Sequence, residues 1–274
     1  FAYGMVYVDG KYWISSSSST AGQRLLYAIN NQGDITDTLV IQHPILRESQ
    51  GLAHDGTNFW YIERKTARTD LYKVSPQGVV LDSIYFSTIN GGTSWYCGGA
   101  AWDGSHLWVS VYSPDAQAKL YRINVNTKQL VDTISVFGLQ PTGITVKGDT
   151  LIYTNDGFSS NGSQGFDRVY GVNRVTKDTL FSFDSPHPTN VTNAMRGLAW
   201  DGQYFWLMAR PVGSTTGRNL FVYDLSGGGT PGITVITQSV GFGNVQIDST
   251  VTSQIFLRNY GTANLVIDSV RVSN

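Results

Sequence analysis

The chain has 274 residues, 19 Lys and Arg against 20 Asp and Glu, and a net charge of −1, with only 14% of residues charged. There is therefore no basic field for nucleic acid and no polybasic patch for a membrane surface, and no apolar run approaches the roughly 18 residues of a spanning helix. Cys97 is the only cysteine, which excludes an intrachain disulfide and a Cys-based zinc site.

From the start of the chain, one unit recurs. It first runs Met5 to Trp13, with Asp9-Gly10 inside it. It returns as Gly51 to Trp60 around Asp55-Gly56 and as Gly99 to Trp108 around Asp103-Gly104. A weaker copy runs Gly143 to Ile152, and the clearest runs Gly197 to Trp206 around Asp201-Gly202. Each reads as a small apolar strand, an Asp-Gly corner and an aromatic strand. Asp-Gly suits a two-residue type I′ hairpin, which needs positive φ at both central positions. The first copy is one residue shorter after its glycine.

A third strand is expected at 25–29, 71–74, 120–123, 169–172 and 220–223. A fourth is expected at 38–41, 79–84, 130–136 and 179–183. Four short strands repeating roughly every 50 residues are the signature of propeller blades, and radial repetition leaves only short edges exposed. The sequence thus predicts an all-β, five-bladed β-propeller over residues 1–226, with blades at 1–43, 44–86, 87–137, 138–184 and 185–226. Blade five shows no fourth strand before its end. Residues 233–238 supply it, or the blade has three strands, or a strand comes from elsewhere.

The repeated Asp residues read as turn formers, since each precedes Gly at a hairpin corner, rather than as a metal-binding ring. Trp13, Trp60, Trp108 and Trp206 recur at one strand position and read as packing between blades rather than as a sugar-binding ladder. His54 stands where other copies have Trp102 and Trp200, a packing position.

After the propeller, 227–231 is a Gly-rich linker. From 232 to 274 the residues alternate apolar and polar with period two. Phe242, Gly243 and Val245, then Leu257, Asn259, Gly261, Thr262, Leu265 and Ile267, resemble the first half of immunoglobulin-like modules of the ASPM/SPD-2/Hydin type. That resemblance implies a partial β-sandwich whose open edge pairs with further chain or with a partner subunit by strand addition. A chain that starts at Phe1, with low charge and Ser/Thr/Asn-rich loops, suggests removal of a secretory signal and an extracellular or cell-surface location. Asn161-Gly-Ser and Asn190-Val-Thr fit glycan acceptor sequons.

Loop lengths locate the expected site. In a propeller, the turns from first to second and from third to fourth strand share one face; the other connections share the opposite face. Here the first set is short and the second long, as at 15–23, 87–98, 156–167, 185–196 and 210–218. Added loop length on a rigid scaffold tends to carry function. The residues entering the innermost strands on that face are Tyr3, Gln50, Tyr96, Thr142 and Arg196. Around them stand Arg47, Glu48, Trp95, Asn155, Asp156, Asp167, His187 and Arg210. A mixed polar and aromatic mouth suits a neutral or mildly anionic ligand such as a glycan or a peptide end. The alternative is that these loops only cover the channel or meet a neighbour.

No nucleophile elbow, P-loop or zinc-binding His spacing occurs. No cofactor is expected. If a cation binds, Asp156 and Asp167 would bracket calcium, a hard ion that wants several oxygens; two carboxylates in a Ser/Gly-rich loop otherwise read as solvated.

Glu48-Ser49-Gln50-Gly51-Leu52, followed by Leu71-Tyr-Lys-Val and Gly78-Val-Val-Leu, resembles plant-type and bacterial glutaminyl cyclases, which are five-bladed propellers. Where that family has Tyr-Glu-Ser, this chain has Trp60-Tyr61-Ile62, with Glu63 two positions later. Gly143-Ile-Thr-Val with Leu151 to Asp156 is similar to a repeat of gluconolactonase-like propellers. That likeness implies a metal held by Glu, Asn and Asp, for which Glu48, Asn155 and Asp156 stand available. The expected function is a non-enzymatic binding or assembly protein; the alternative is a metal-dependent propeller enzyme, lactonase-like or cyclase-like, working at the long-loop face.

Overall fold

A computed structural model describes residues 2–16, 24–43, 48–65, 68–90, 95–156, 167–184, 195–209, 219–225 and 235–236. They form five four-stranded antiparallel sheets, each a meander of consecutive strands. Blade one holds β1 (Ala2–Val8), β2 (Lys11–Ser16), β3 (Arg24–Ile29) and β4 (Ile35–Ile41). Blade two holds β5 (Glu48–His54), β6 (Phe59–Lys65), β7 (Arg68–Val74) and β8 (Val80–Tyr85), followed by the short helix α1 (Phe86–Ile89). Blade three holds β9 (Tyr96–Trp102), β10 (Leu107–Ser113), β11 (Lys119–Asn124) and β12 (Gln129–Ser135). Blade four holds β13 (Pro141–Lys147), β14 (Thr150–Asn155), β15 (Arg168–Asn173) and β16 (Thr179–Asp184).

Blade five holds β17 (Met195–Trp200), β18 (Phe205–Ala209), β19 (Asn219–Tyr223) and β20 (Val235–Ile236). The register Leu220↔Ile236 and Phe221↔Val235 makes β20 the outer strand. Of the three alternatives for blade five, the chain past the Gly-rich stretch supplies the strand. Residues 235–236, expected to open the immunoglobulin-like module, thus complete a propeller sheet. The linker 227–231 and the tail 237–274 lie outside the described residues.

The blades are held by five apolar seams. Trp60 of blade two packs with Ala100, Val109 and Tyr121 of blade three. Trp108 of blade three packs with Ile144, Leu151 and Tyr153 of blade four. Trp206 of blade five packs with Met5, Tyr12 and Ile14 of blade one, which closes the ring. The remaining seams join blades one and two around Leu26, Leu52 and Tyr61, and blades four and five around Ile152, Leu198 and Phe205. Trp60, Trp108 and Trp206 are buried, so the repeated tryptophan is interblade packing.

The innermost strands touch at glycine. A Cβ on Gly4 would lie 2.4 Å from the Leu52 nitrogen, one on Gly99 2.4 Å from the Thr142 carbonyl oxygen, and one on Gly143 2.4 Å from the Arg196 carbonyl oxygen. Five inner strands converge so tightly on one axis that backbone meets backbone, which no side chain at these positions would permit.

The Asp-Gly corners differ from the expected type I′ hairpin in most blades. Only blade one has it, with Asp9 at φ 48° and Gly10 at φ 81° and Val8 paired with Lys11. In blades two, three and five the corner spans four residues. Asp55 N–H bonds the Asn58 carbonyl, Asp103 N–H that of His106, and Asp201 N–H that of Tyr204. One extra residue after the glycine turns the Asp carboxylate inward over the loop. Its Oδ1 then accepts the two following free amides, from Thr57 and Asn58 at 3.0 and 2.8 Å in blade two. Its Oδ2 accepts the indole N–H of the repeat tryptophan: Trp60 at 3.2 Å, Trp108 at 2.9 Å, Trp206 at 2.7 Å. The Asp residues are turn formers as expected, and Asp55, Asp103 and Asp201 also fasten their blade's tryptophan.

Candidate functional site

On the long-loop face, the pairing between first and second strands shifts register in every blade. The shifts fall between Ala2 and Met5, Ser49 and Gly51, Ser110 and Val111, Pro141 and Ile144, and Met195 and Gly197. Such bulges bend a strand and re-aim the extra residue, and they recur beside binding sites. They place Tyr3, Gln50, Thr142 and Arg196 at equivalent positions around the axis. In blade three the extra residue is Gly98, between Gly99 and Cys97 in the register against β10; Tyr96 lies two residues earlier and stacks on Tyr112 with centroids 6.2 Å apart.

A belt of buried hydroxyls satisfies the backbone that these bulges leave unpaired. Gly4 N–H donates to Ser15 Oγ at 2.8 Å, and the Ser49 hydroxyl donates to that of Ser15. Ser110 Oγ donates to the Thr142 carbonyl at 2.7 Å. Gly143 N–H donates to Thr154 Oγ1 at 2.8 Å. Thr142 Oγ1 donates to the Met195 carbonyl at 2.9 Å and contacts Thr154 Oγ1 at 3.0 Å. Thr142 is fully buried. Its hydroxyl ties blade four to blade five, which removes it from the ligand candidates.

The other predicted residues divide. Tyr3 is half-buried and Gln50 and Arg196 are buried, and the Arg196 guanidinium lies 5.4 Å from the centroid of the Tyr3 ring. Trp95 packs into the seam of blades two and three, with ring centroids 5.0 Å from Tyr121 and 5.7 Å from Phe86; it is core. Asp156 and Asp167 sit at the facing ends of β14 and β15, next to the Asn155↔Arg168 pair. They are only 2% and 4% exposed, so the expectation of solvated loop carboxylates is corrected. Asn155 Oδ1 accepts the Gln140 amide at 3.0 Å. Among the described residues no three His, Cys, Asp or Glu side chains converge as a metal site. His187, Arg47 and Arg210 lie outside the described residues, as does the Glu48 side chain.

One regularity was not predicted. Among the described residues, the charged residues buried as a whole are Arg24, Glu63, Asp70, Asp156, Asp167 and Arg196. These six belong to the long-loop end of their strands, and Glu63 and Asp70 are cross-strand neighbours; at the opposite face the corner carboxylates of Asp55 and Asp103 are buried as well, with side chains 8% and 0% exposed.

With this geometry, comparison with known proteins gives a fold. No protein-family model and no curated protein matches the sequence. Among solved structures, a glutaminyl cyclase of Myxococcus xanthus superposes with a TM-score of 0.57 at 14% identity, over 81% of this chain and 89% of that one. The Pan2 WD40 domain of Neurospora crassa follows at a TM-score of 0.49 and 12% identity, over 82% of this chain and 62% of that one. The Dos1 propeller gives 0.44 and 12%, over 81% of this chain and 55% of that one. The likeness to the cyclase structure is one of fold alone.

The short-loop face carries a feature that loop length did not point to. A cleft of about 600 Å³ opens between blades five and one, lined by Tyr7, Tyr12, Tyr204, Trp206, Asp201 and Val222 with Asn30, Asn31, Gln203 and Gly10 at its rim. Tyr12 Oη donates to Asp201 Oδ2 at 2.8 Å across the seam, and the Tyr12 and Trp206 rings lie 4.3 Å apart. Burial, reinforced by the Asp201 charge, pushes the Tyr12 hydroxyl far above its ordinary pKa. Burial alone would raise the Asp201 carboxyl, but the bonds from Tyr204, Gln203, Trp206 and Tyr12 outweigh it and hold the group below the usual value. Asp201 is therefore an anion at neutral pH.

Among the three corners whose Asp fastens a tryptophan, blade five differs from blades two and three at one third-strand position; in blades one and four the corresponding residues are Ala28 and Gly171. Opposite Trp60 in the sheet stands Lys73, and opposite Trp108 stands Arg122. Lys73 Nζ is 3.0 Å from Asp55 Oδ2 and 5.7 Å from the Trp60 ring centre. Arg122 is 3.0 Å from Asp103 Oδ2 and 5.8 Å from the Trp108 ring centre. Opposite Trp206 stands Val222. The sequence carried this signal, in Leu71-Tyr-Lys73 and Leu120-Tyr-Arg122 against Leu220-Phe-Val222.

Proposed function

We propose that this propeller is a non-enzymatic binding and assembly module, secreted or displayed at the cell surface, with its ligand on the long-loop face. The observation that carries the reading is the placement of Arg24, Glu63, Asp70, Asp156, Asp167 and Arg196, buried charges gathered at one end of the strands. Buried charged groups are paired groups, and six of them at one face make that face a polar surface for a ligand to meet. Gln50 offers an amide near the axis, and Arg196 offers a guanidinium backed by the Tyr3 ring. Such a mouth suits a glycan or a peptide end. The strands expected after the propeller would pair with further chain or a partner subunit by strand addition.

The test is a glycan and peptide array, followed by titration of the best hit against Gln50→Ala and Arg196→Gln. The expected result is a loss of roughly tenfold or more in affinity, measured on variants whose circular dichroism shows them folded. A hit whose affinity neither substitution changes would place the ligand elsewhere and refute the reading. Light scattering on the intact protein reads the assembly half, and a strictly monomeric full chain refutes self-assembly.

A metal-dependent enzyme at the same face is the second reading, favoured by the buried Asp156 and Asp167 at adjacent strand ends. It predicts a rise in melting temperature with calcium or zinc that Asp156→Asn abolishes. Unchanged melting with both ions removes it.

A further inference from the structure

We infer that the cleft between blades five and one is a second binding site, which takes an alkylammonium or guanidinium group. The inference is independent of the long-loop face. It rests on the repeat itself. Blades two and three show what this corner does when complete: an Asp carboxylate fastens the tryptophan, and a cation from the third strand bonds the carboxylate and lies near the indole ring. Blade five keeps Asp201 and Trp206 in the same bond, at 2.7 Å, but has Val222 at the cation's place. Asp201 forms no ion pair among the described residues. The site therefore lacks only the cation.

Three further features fit that occupant. First, Asp201 Oδ2 accepts two donors, Tyr12 and Trp206. The equivalent oxygen of Asp103 accepts three, from Trp108, Arg122 and Arg174, so a third donor has precedent in this molecule. Second, Tyr7 and Tyr204 are half-exposed beside the buried Tyr12 and Trp206, which gives the cleft aromatic walls. Ring faces attract cations through their quadrupole, and the Asp201 charge adds a coulombic attraction that a neutral donor lacks. Third, a volume of about 600 Å³ admits a side chain or a small amine.

Two sources offer this chemistry: a Lys or Arg side chain of a partner peptide, or a free ammonium such as choline. The experiment titrates the full chain with acetylated, amidated lysine and arginine, with choline, and with the neutral isosteres norleucine and citrulline in the same capped form. Binding is read from the indole N–H signals by NMR. The expected result is saturable binding of a cation, roughly tenfold or more tighter than its neutral isostere. Preference for the capped residues names a peptide source, and preference for choline a free ammonium. Equal binding of cation and isostere, or no saturable binding of any probe, overturns the inference. Val222→Lys supplies the cation from within the chain, as Lys73 does in blade two. It is expected to fold and to lose cation binding by roughly tenfold or more; a folded Val222→Lys that binds as wild type overturns the inference. If the variant fails to fold, the comparison of cation with isostere on the wild type decides alone.

Discussion

The Asp corners predict a graded response to a single-atom change. Asp103→Asn retains Oδ1 and its three donors, Ser105 N–H at 2.9 Å, Ser105 Oγ at 2.9 Å and His106 N–H at 2.8 Å. It replaces Oδ2 with an NH₂ group facing Trp108 Nε1–H and the guanidinium groups of Arg122 and Arg174, each 3.0 Å from Oδ2. The indole bond to the carboxylate is lost, at about 1 kcal/mol. Two charge-assisted bonds are lost as well. Breaking a sealed ion pair costs about 3–5 kcal/mol, but these two side chains are 28% and 22% exposed and still reach water; about 1 kcal/mol each is the expected share. The total is about 3 kcal/mol. Asp201→Asn meets only Trp206 Nε1–H and the Tyr12 hydroxyl. That hydroxyl can turn and accept from the new amide, so the cost is about 1 kcal/mol. The assay is urea unfolding at neutral pH, followed by tryptophan fluorescence.

The pH dependence is a second readout of the same pair. Burial alone would raise the Asp103 carboxyl, but the bonds from Trp108, His106 and Ser105 outweigh it and depress the folded-state pKa well below the ordinary value. A depressed folded pKa contributes stability that is present above the unfolded pKa and is lost as pH falls through the folded one. The gap between wild type and Asp103→Asn is therefore full at neutral pH and narrows from about pH 4 downward. A variant that costs no more than Asp201→Asn, or a gap that stays constant into acid, would refute the corner as an electrostatic tie.

Gly99→Ala would press a methyl group against the Thr142 carbonyl oxygen at 2.4 Å; it is expected to cost about 1–3 kcal/mol by urea unfolding, and a neutral result would mean the inner strands can separate. Burial pushes the Cys97 thiol far above its ordinary pKa, so modification by a thiol reagent should be no faster than unfolding in mild denaturant; a fast native-state reaction would contradict its place in the core. Lys128 and Lys177 reach back to Asp82 and Asp132 of the preceding blade at 2.6 Å each, but all four side chains are at least 31% exposed. Replacing both lysines by alanine should cost below about 1 kcal/mol per pair, and a larger loss would mark these bridges as major blade clamps.

The blades were legible because the repeat constrains many residues at once. The third strand expected at 120–123 is Lys119–Asn124, and the fourth expected at 179–183 is Thr179–Asp184. The corner type was less legible. Asp-Gly suggested a two-residue hairpin everywhere, yet the register depends on the residue count to the tryptophan, and that count admits the short turn only at Asp9-Gly10. The bulge residues Gln50 and Arg196 could be placed because they enter the inner strand at a fixed distance before the corner. Thr142 and Trp95 share that neighbourhood in sequence, but side-chain direction at a bulge and the packing of α1 are set by neighbouring blades. No reading of one blade reveals them.

A repeat has a further use once its meaning is known. Where copies agree, as at the buried Trp60, Trp108 and Trp206, the residues answer to the ring and to packing. Where a copy departs from others that share its corner, the departure has a local physical effect that those copies calibrate. Val222 is small and apolar, and it sits where Lys73 and Arg122 close their corners. Tyr12 carries the only hydroxyl among Tyr12, Phe59, Leu107, Leu151 and Phe205, and it reaches Asp201 from the next blade. The two departures act on one carboxylate. Tyr12 supplies a neutral donor on the oxygen that Lys73 and Arg122 bond in blades two and three, which secures the corner without neutralising it, and Val222 leaves the space open. Had only Val222 changed, Asp201 would lack a second donor on Oδ2; had only Tyr12 changed, a lysine would still fill the cleft. Their coincidence on one seam, rather than the length of any loop, is what makes this corner a site.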